Sequence, residues 1–454
     1  MNAAQAPRER ALSLARRHGF NATAFQTLEE GYDYAFVGAD ACVAYVDTGR
    51  AWVAAGAPIA ATADLAEAAA LFVELARRAR RRCCFFAVES RFVGATPALG
   101  SLRIGEQPVW DPGAWSAVLE AHRSLREQLR RARAKGVTVR EAGASELRVG
   151  AVRAGLERLT ERWSATRRMA PMGFLVSLPS LGESEHRRRF VAEREGRVVG
   201  VASVVPVPAR AGAFLEHVLR DPKAPNGTSE LLVDAVMTAS AAAGQDWLTL
   251  GLAPLAGDVA PALRLARRSS SFLYDFEGLR AYKAKLRPAR WDPLFLSYPR
   301  DQGAMVTLFD VLSAFTTGGF VRFGLRSLLR GSTAVLGILA VLLVPWIAIL
   351  ALAPAERWFY SPAIKWSWVG FDLALVLALS RALRRPTVRA YTALAVVVSL
   401  DALVTTLQAV LWNAPQASRI GDWIALGLGC CAPALAAVVL WGARARLLRL
   451  DASC

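Results

Sequence analysis

Most of the side chains in this sequence whose type and spacing suit chemistry are cations. Arg123–Lys135 (RSLREQLRRARAK) is strongly basic around a single acid, Glu127, and sets Leu125, Leu129 and Ala132 at i, i+4 and i+7. A helix there turns an apolar stripe inward and offers Arg126, Arg130, Arg131 and Lys135 to phosphates, either of RNA or of anionic lipid headgroups. The plainer alternative is the solvated face of a basic protein. Asn226–Gly227 stands before a helix, where free N–H groups and the helix dipole favour an anion. An ordinary N-terminal turn has the same sequence. Leu279–Leu286 (LRAYKAKL) brings Arg280, Lys283 and Lys285 near one end of a short helix stopped by Pro288 and Trp291. A phosphate-facing lysine and three surface cations read alike at this level.

Several chemistries lack their residues. His18, His122, His186 and His217 are far apart and form no H-x-x-x-H or Cys/His pair, so no metal site is expected. There is no G-x-S-x-G elbow, Walker loop or paired-glycine dinucleotide fingerprint, so no bound cofactor is expected. Cys42, Cys83, Cys84, Cys430, Cys431 and Cys454 contain no C-x-x-C pair and read as reduced thiols.

The elements that must carry these residues fall into two parts. Of the 454 residues 54% are apolar, and the formal charge is +17. That balance excludes a disordered chain, a collagen-like fibre and a small disulfide scaffold. Ala334–Ala353 is an uncharged run long enough to cross a hydrocarbon core of about 30 Å. Trp366–Ser380, Val388–Trp412 and Trp423–Trp441 are three further candidates, the first of them carrying Asp372 and the second Asp401. Carboxylates inside a span are functional by default, or else face a polar bundle interior. Arginine and lysine are denser before the first span, in the loop after the second and beyond the last. That alternation predicts four helices with both ends on the cytosolic side. No charged-then-apolar leader opens the chain, so the first 330 residues are expected to stay cytosolic.

Those 330 residues alternate strand and helix. Ala6–His18 reads as a helix, Tyr34–Val37, Cys42–Val46 and Ala51–Ala55 as strands, Ala63–Arg81 as a helix and Cys83–Val88 as a buried strand. A second round follows. It has helices at Ala114–Ala134 and Val149–Ala165, strands at Phe190–Arg194, Arg197–Val205 and Ala213–Leu219, a helix from Pro225 to about Ala243, and a strand at Trp247–Leu252. The fold class is α/β (α+β). Antiparallel strands followed by a glycine-started helix resemble the GNAT acyltransferase arrangement, here in tandem. The expected organisation is an N-terminal GNAT-like part at 1–115, a catalytic GNAT-like part at 116–300, an amphipathic and basic linker at 301–332, and a four-helix transmembrane domain at 333–454.

Phe272–Pro299 (FLYDFEGLRAYKAKLRPARWDPLFLSYP) resembles the end of the C-terminal domain of phosphatidylglycerol lysyltransferases, the multiple peptide resistance factor family. That family closes with an aromatic–x–F–x–G–L–R–x–x–K–x–K–F–x–P–x–W pattern. Gly251–Leu255 (GLAPL) and Ala224–Leu232 (APNGTSELL) are similar to two further family segments. Gly19–Asn21, Tyr45, Pro58 and Gly105–Glu106 sit in the order of its early markers. The resemblance implies transfer of an aminoacyl group from aminoacyl-tRNA to a lipid such as phosphatidylglycerol, at the inner membrane of a bacterium. It places Arg220 on the arginine of a D-L-M-R motif, for phosphate or carbonyl-oxygen stabilisation, and Lys283 and Lys285 on the K-x-K. His217 stands where that motif has aspartate, and Ser229–Glu230 replaces Met-Asp, which makes His217 or Glu230 the proton acceptor. Three alternatives remain at this level: a GNAT enzyme using a coenzyme A thioester, a peptidoglycan-precursor aminoacyltransferase, and a non-catalytic membrane scaffold.

Overall fold

The computed structural model describes residues 5–165, 173–175, 186–261, 263–264, 275–316, 333–352 and 358–452. The chain divides into two compact units. One holds residues 1–164 and 171–319, the other 165–170 and 320–454.

In the first unit α1 (Gln5–His18) leads into the antiparallel strands β1 (Asp33–Val37), β2 (Ala41–Asp47) and β3 (Ala51–Ala55). A parallel neighbour needs a crossover, and α2 (Leu65–Arg78) supplies it to β4 (Arg82–Glu89). Leu65, Ala68, Ala69, Phe72, Val73 and Ala76 recur at helical spacing along α2 and bury its inner face. Next come α3 (Ser90–Ala95), β5 (Leu99–Trp110), α4 (Trp115–Ala121), α5 (Arg123–Ala134), β6 (Thr138–Glu141), α6 (Ala144–Arg148) and α7 (Ala151–Ala165). The pattern then repeats. β7 (Arg188–Arg194), β8 (Arg197–Val207) and β9 (Gly212–Arg220) are antiparallel, and α8 (Thr228–Ala242) crosses to β10 (Trp247–Thr249), parallel to β9. β11 (Ala253–Pro254), α9 (Phe276–Lys285), β12 (Arg290–Pro299) and α10 (Ala304–Phe315) complete the unit.

One sheet runs through both rounds in the order β1-β2-β3-β4-β12-β5-β10-β9-β8-β7-β6, with β11 alongside β5. The two rounds trade their last strands. β5, which follows the first, lies beside β10 of the second, while β12, which follows the second, lies beside β4 of the first. β5 and β12 pair with each other over ten residues of β12, with a bulge after Leu294, so the join is a hydrogen-bonded ladder. Neither strand is legible from periodicity: Pro108 and Gly105 interrupt β5, and Pro293 interrupts β12. The expected helix Ala114–Ala134 is broken at His122, whose φ of −120° and ψ of 88° separate α4 from α5. Residues 304–315, expected in a linker, form α10, held to β4 by a two-pronged Arg82–Asp310 pair at 2.7 and 2.6 Å.

In the second unit α11 (Thr333–Leu352), α12 (Pro362–Arg384), α13 (Val388–Gln408) and α14 (Ile420–Ala452) pack around Leu336, Leu375, Tyr391, Val439 and Leu440. Among the described residues three segments are long and apolar enough to cross a membrane: Pro362–Arg384, Val388–Gln416 and Ile420–Leu448. The expected count of four is therefore met only to three. The segment expected at Ala334–Ala353 is the helix α11, of which the stretch Leu339–Leu352 is a shorter apolar helix. Large apolar side chains such as Leu377, Leu403 and Ile424 point outward, the inverse of a soluble bundle and what a lipid surround requires. Asp372 is buried inside this bundle, and Asp401 accepts a hydrogen bond from Thr405.

Candidate active site

The site is built where two parallel strands part. β10 pairs with β9 only through Trp247–Gly212, Leu248–Ala213 and Thr249–Phe214. β9 then runs on to Arg220 with β8 as its one neighbour. The carbonyls just past β10 thus lose their ladder partners inside the protein, and an unmade buried bond is costly. Lys283 of α9 fills the opening. Its Nζ donates to the carbonyl oxygens of Leu250, Gly251 and Leu252 at 2.8, 2.8 and 3.0 Å. With 5% of its surface exposed, burial pushes its pKa down to about 7. All three N–H donors are spent on carbonyls, which corrects the expectation that this ammonium meets a phosphate. Gly251 turns the chain at φ +69°, and a Cβ there would sit 2.7 Å from the Phe214 ring.

On one face of β9 lies a buried charge cluster. A β-bulge between Ser203 and Val204 leaves Glu216 as the extra residue on β9 and sets His217 opposite Ser203. Glu216 accepts from Arg187 Nε at 2.6 Å and from Ser203 Oγ at 2.8 Å, and Arg187 also pairs with Glu29. Burial pushes the Glu216 carboxyl up, but His217, Arg187 and the Ser203 hydroxyl outweigh it and hold it below the ordinary value. Burial pushes His217 down against the pull of Glu216, which leaves a neutral imidazole at pH 7. Arg189, 1% exposed, stands opposite Ser203 on the next strand.

Arg220, three residues beyond His217, faces the other side of the sheet, as the two-residue period of a strand requires. Its NH1 lies 3.4 Å from Asn226 Oδ1. Ser229, Glu230 and Arg220 surround the hydroxyl of Tyr282, whose pKa is pushed well up by burial. The structure therefore brings Arg220, Asn226 and Glu230 together around Tyr282, and keeps His217 apart from them.

The other expected residues scatter around this centre. Arg280 donates to Glu106 at 2.9 Å and lies 4.8 Å over the Trp291 ring, so its charge is already partly met. It also lines a hollow of about 380 Å³ with Pro254, Gly257 and Phe276. Lys285 is exposed. Gly227 serves packing rather than anion binding. It has a φ of +94°, and a Cβ there would fall 2.2 Å from the Gln128 carbonyl oxygen of α5. Gly227→Ala is expected to cost roughly 2 kcal/mol or more, read as a lower unfolding midpoint, because strain and overlap add.

On α5 the stripe Leu125, Leu129, Ala132 is buried as its spacing predicts. Arg126 donates to Leu119 at 2.6 Å and also to the Glu120 carbonyl, while Arg130 pairs with Glu127 at 2.9 Å. Arg131 and Lys135 are exposed with no ion-pair partner among the described residues, and Arg131 borders a shallow hollow of about 410 Å³. Arg187, Ser203 and Tyr282 are functional candidates that sequence reasoning missed. The signal for the first two was Glu216–His217, two adjacent titratable residues inside an otherwise apolar strand. Among the described residues no three His, Cys, Asp or Glu side chains converge on a metal position.

The fold around the candidate site is a mixed sheet built in two successive strand–helix rounds, opened where two parallel strands diverge. The chain belongs to the phosphatidylglycerol lysyltransferase C-terminal family, whose model matches residues 10–298. It is 28% identical over 245 residues to the lysylphosphatidylglycerol biosynthesis bifunctional protein LysX of Nocardia farcinica, covering 50% of this chain and 21% of that protein. The chain thus spans about a fifth of that curated relative. Two solved structures share the fold. One is the C-terminal domain of a putative lysylphosphatidylglycerol synthetase from Agrobacterium fabrum (TM-score 0.57, 23% identity, 69% of this chain and 96% of that one). The other is L-PGS from Bacillus licheniformis (TM-score 0.58, 17% identity, 70% and 97%).

Proposed function

We propose that this protein is a membrane-bound aminoacyltransferase that moves an aminoacyl group from aminoacyl-tRNA to a hydroxyl of a membrane lipid such as phosphatidylglycerol. The observation that carries the reading is the coincidence of the family match, residues 10–298, with the sheet whose β9–β10 opening is bordered by His217, Arg220 and Lys283. An aminoacyl ester is already activated, so the enzyme has only to position it, take a proton and meet the developing charge. His217 accepts the proton of the lipid hydroxyl as that oxygen bonds to the ester carbonyl carbon. The C–O bond to the tRNA ribose breaks, and the imidazolium returns the proton to the ribose oxygen. Glu216, tied down by Arg187 and Ser203, favours the imidazolium that forms. Arg220 with Tyr282 and Glu230 works from the other face, so the two substrates approach the opening from opposite sides.

Arg126, Arg130, Arg131 and Lys135 on α5, with Asn226 beside Arg220 and with Arg280 and Lys285 on α9, form the mainly cationic approach for tRNA or headgroup phosphates. Lys283 keeps the opening in shape. Four spans, with the transferase unit and the C-terminus on the cytosolic side of a bacterial inner membrane, complete the proposal. No cofactor is required.

The test is mass spectrometry of lipids from cells with and without the intact gene, followed by the purified full-length protein in vesicles supplied with charged tRNA. An aminoacylated lipid that appears only with the protein, and vanishes after RNase treatment, is the expected result. Activity that survives RNase and needs an acyl thioester would replace tRNA with coenzyme A. An unchanged lipid profile would leave a scaffold.

A further inference from the structure

α10 is built inside out for a helix on the surface of a soluble unit. Thr307, Asp310, Val311 and Ala314, at i, i+3, i+4 and i+7, face the sheet. The opposite stripe is Met305, Val306, Phe309 and Leu312, exposed by 63, 44, 59 and 50%. Among the described residues before 333, these are four of the six large apolar side chains that face outward. The hydrophobic effect alone would turn the helix the other way. What holds it is polar: Asp310, 7% exposed, is clamped by the Arg82 guanidinium, and Thr307 Oγ1 donates to Gly303 at 2.8 Å. Phe315 adds edge-on contacts to Phe86 and Phe174. A specific, half-buried ion pair thus presents a row of apolar side chains to whatever lies outside, and patches of that kind on folded units mark an interaction surface.

The surroundings of the stripe identify its occupant. The turn from α2 to β4 reads Arg77-Arg78-Ala79-Arg80-Arg81-Arg82. It abuts α10 through Arg82–Asp310 and, just before the helix, through Arg77–Asp301 at 3.2 Å. Arg78 and Arg80 are exposed, and Arg80 has no ion-pair partner among the described residues. The segment lies beyond the family match, which ends at 298, and leads along the chain to the apolar helices that begin at Thr333. An apolar stripe rimmed by arginines, on a helix so close in sequence to membrane spans, has the makings of an in-plane interfacial helix.

We infer that the Met305–Leu312 stripe of α10 beds into the surface of an anionic bilayer, with the exposed Arg78 and Arg80 on its headgroups, and so fixes which face of the transferase unit meets lipid. The inference holds whichever group the enzyme transfers.

The experiment uses the full-length protein in nanodiscs containing phosphatidylglycerol with a photoreactive diazirine in its acyl chain, irradiated and peptide-mapped. Lipid adducts are expected on the peptide carrying residues 304–315 as well as on the spans within 362–448. In the double variant Phe309→Glu/Leu312→Glu the adducts on α10 should fall at least fivefold, while those on the spans and the unfolding temperature stay unchanged. Replacing the lipid by phosphatidylcholine with the same diazirine, or making Arg78→Ser/Arg80→Ser, should lower the α10 adducts severalfold. Adducts confined to the spans, as a second copy or another part of the chain covering the stripe would produce, overturn the inference. So does an α10 signal unmoved by the glutamates. Equal yields in the two lipids overturn its anionic part.

Discussion

Replacing His217 with alanine is expected to slow aminoacyl transfer by roughly 10²–10⁴-fold, the usual contribution of a positioned general base. The protein should remain folded, because among the described residues no hydrogen bond of the imidazole holds the sheet; Arg187 and Ser203 hold Glu216 without it. A fall in kcat with little change in KM for the lipid marks loss of a group that acts in the transition state. The pH profile carries a second readout. Burial pushes the imidazole below its ordinary pKa, so the base is already free at pH 7 and activity is lost only in more acidic buffer. Glu216 works against burial by favouring the imidazolium. Glu216→Gln should therefore move the acid limb of the profile to still lower pH. A limb that moves upward, or an alanine variant as fast as the wild type, would remove His217 from the chemistry. The measurement is labelled aminolipid formed per minute from charged tRNA across pH 5–8, a range of about that width being where histidine titrates.

Lys283→Met is the second large effect, and it reads out in stability as well as rate. The substitution leaves the carbonyls of Leu250, Gly251 and Leu252 buried without their donor. Each unmet acceptor costs about 1–3 kcal/mol, offset in part because the ammonium no longer has to be desolvated. A net loss of about 3 kcal/mol is expected, with activity falling at least tenfold as the opening beyond β10 closes or splays. The wild-type lysine also carries a pH signature. Its folded pKa is about 7 against 10.5 for the free side chain. Between those values the unfolded chain binds more protons, so wild-type stability rises with pH across that window and levels off below about pH 7. The slope is at most about 1.4 kcal/mol per pH unit. The methionine variant lacks that slope, and its deficit should widen from pH 7 to pH 9. A deficit that narrows, or one that is absent, would mean that Lys283 does not hold the turn. Thermal unfolding of both proteins at pH 7, 8 and 9 decides between these outcomes.

The sequence carried what short-range physics decides. Hydrophobic spacing located α2 and strands of both rounds because a buried face imposes its period on neighbouring residues, and the start Pro225–Thr228 located α8. The stripe on α5 was legible for the same reason. Long, mostly apolar runs marked four candidate spans, and three of them are long and apolar enough to cross a membrane among the described residues, since lipid tolerates no alternative there. The spaced motifs at 224–232, 251–255 and 272–299 pointed to the family that the match over 10–298 bears out.

What stayed hidden depends on contacts between distant residues. β5 and β12 are central strands, yet glycine and proline break their alternation, and each owes its place to a partner nearly two hundred residues away along the chain. Lys283, Lys285 and Arg280 look like one cationic cluster in the sequence. The fold buries the first against carbonyls, pairs Arg280 with Glu106 and leaves Lys285 in water. Gly227 looked like an anion site until the carbonyl of Gln128 proved to occupy the space where its side chain would go. His217 and Arg220 read as one motif, and strand geometry sends them to opposite faces. The inverted orientation of α10 likewise follows from Arg82, more than two hundred residues earlier. Composition and period set which segments are helix, strand or span. Which cations remain free for chemistry was settled only by desolvation and pairing in the folded chain, because those energies depend on neighbours that the linear order does not reveal.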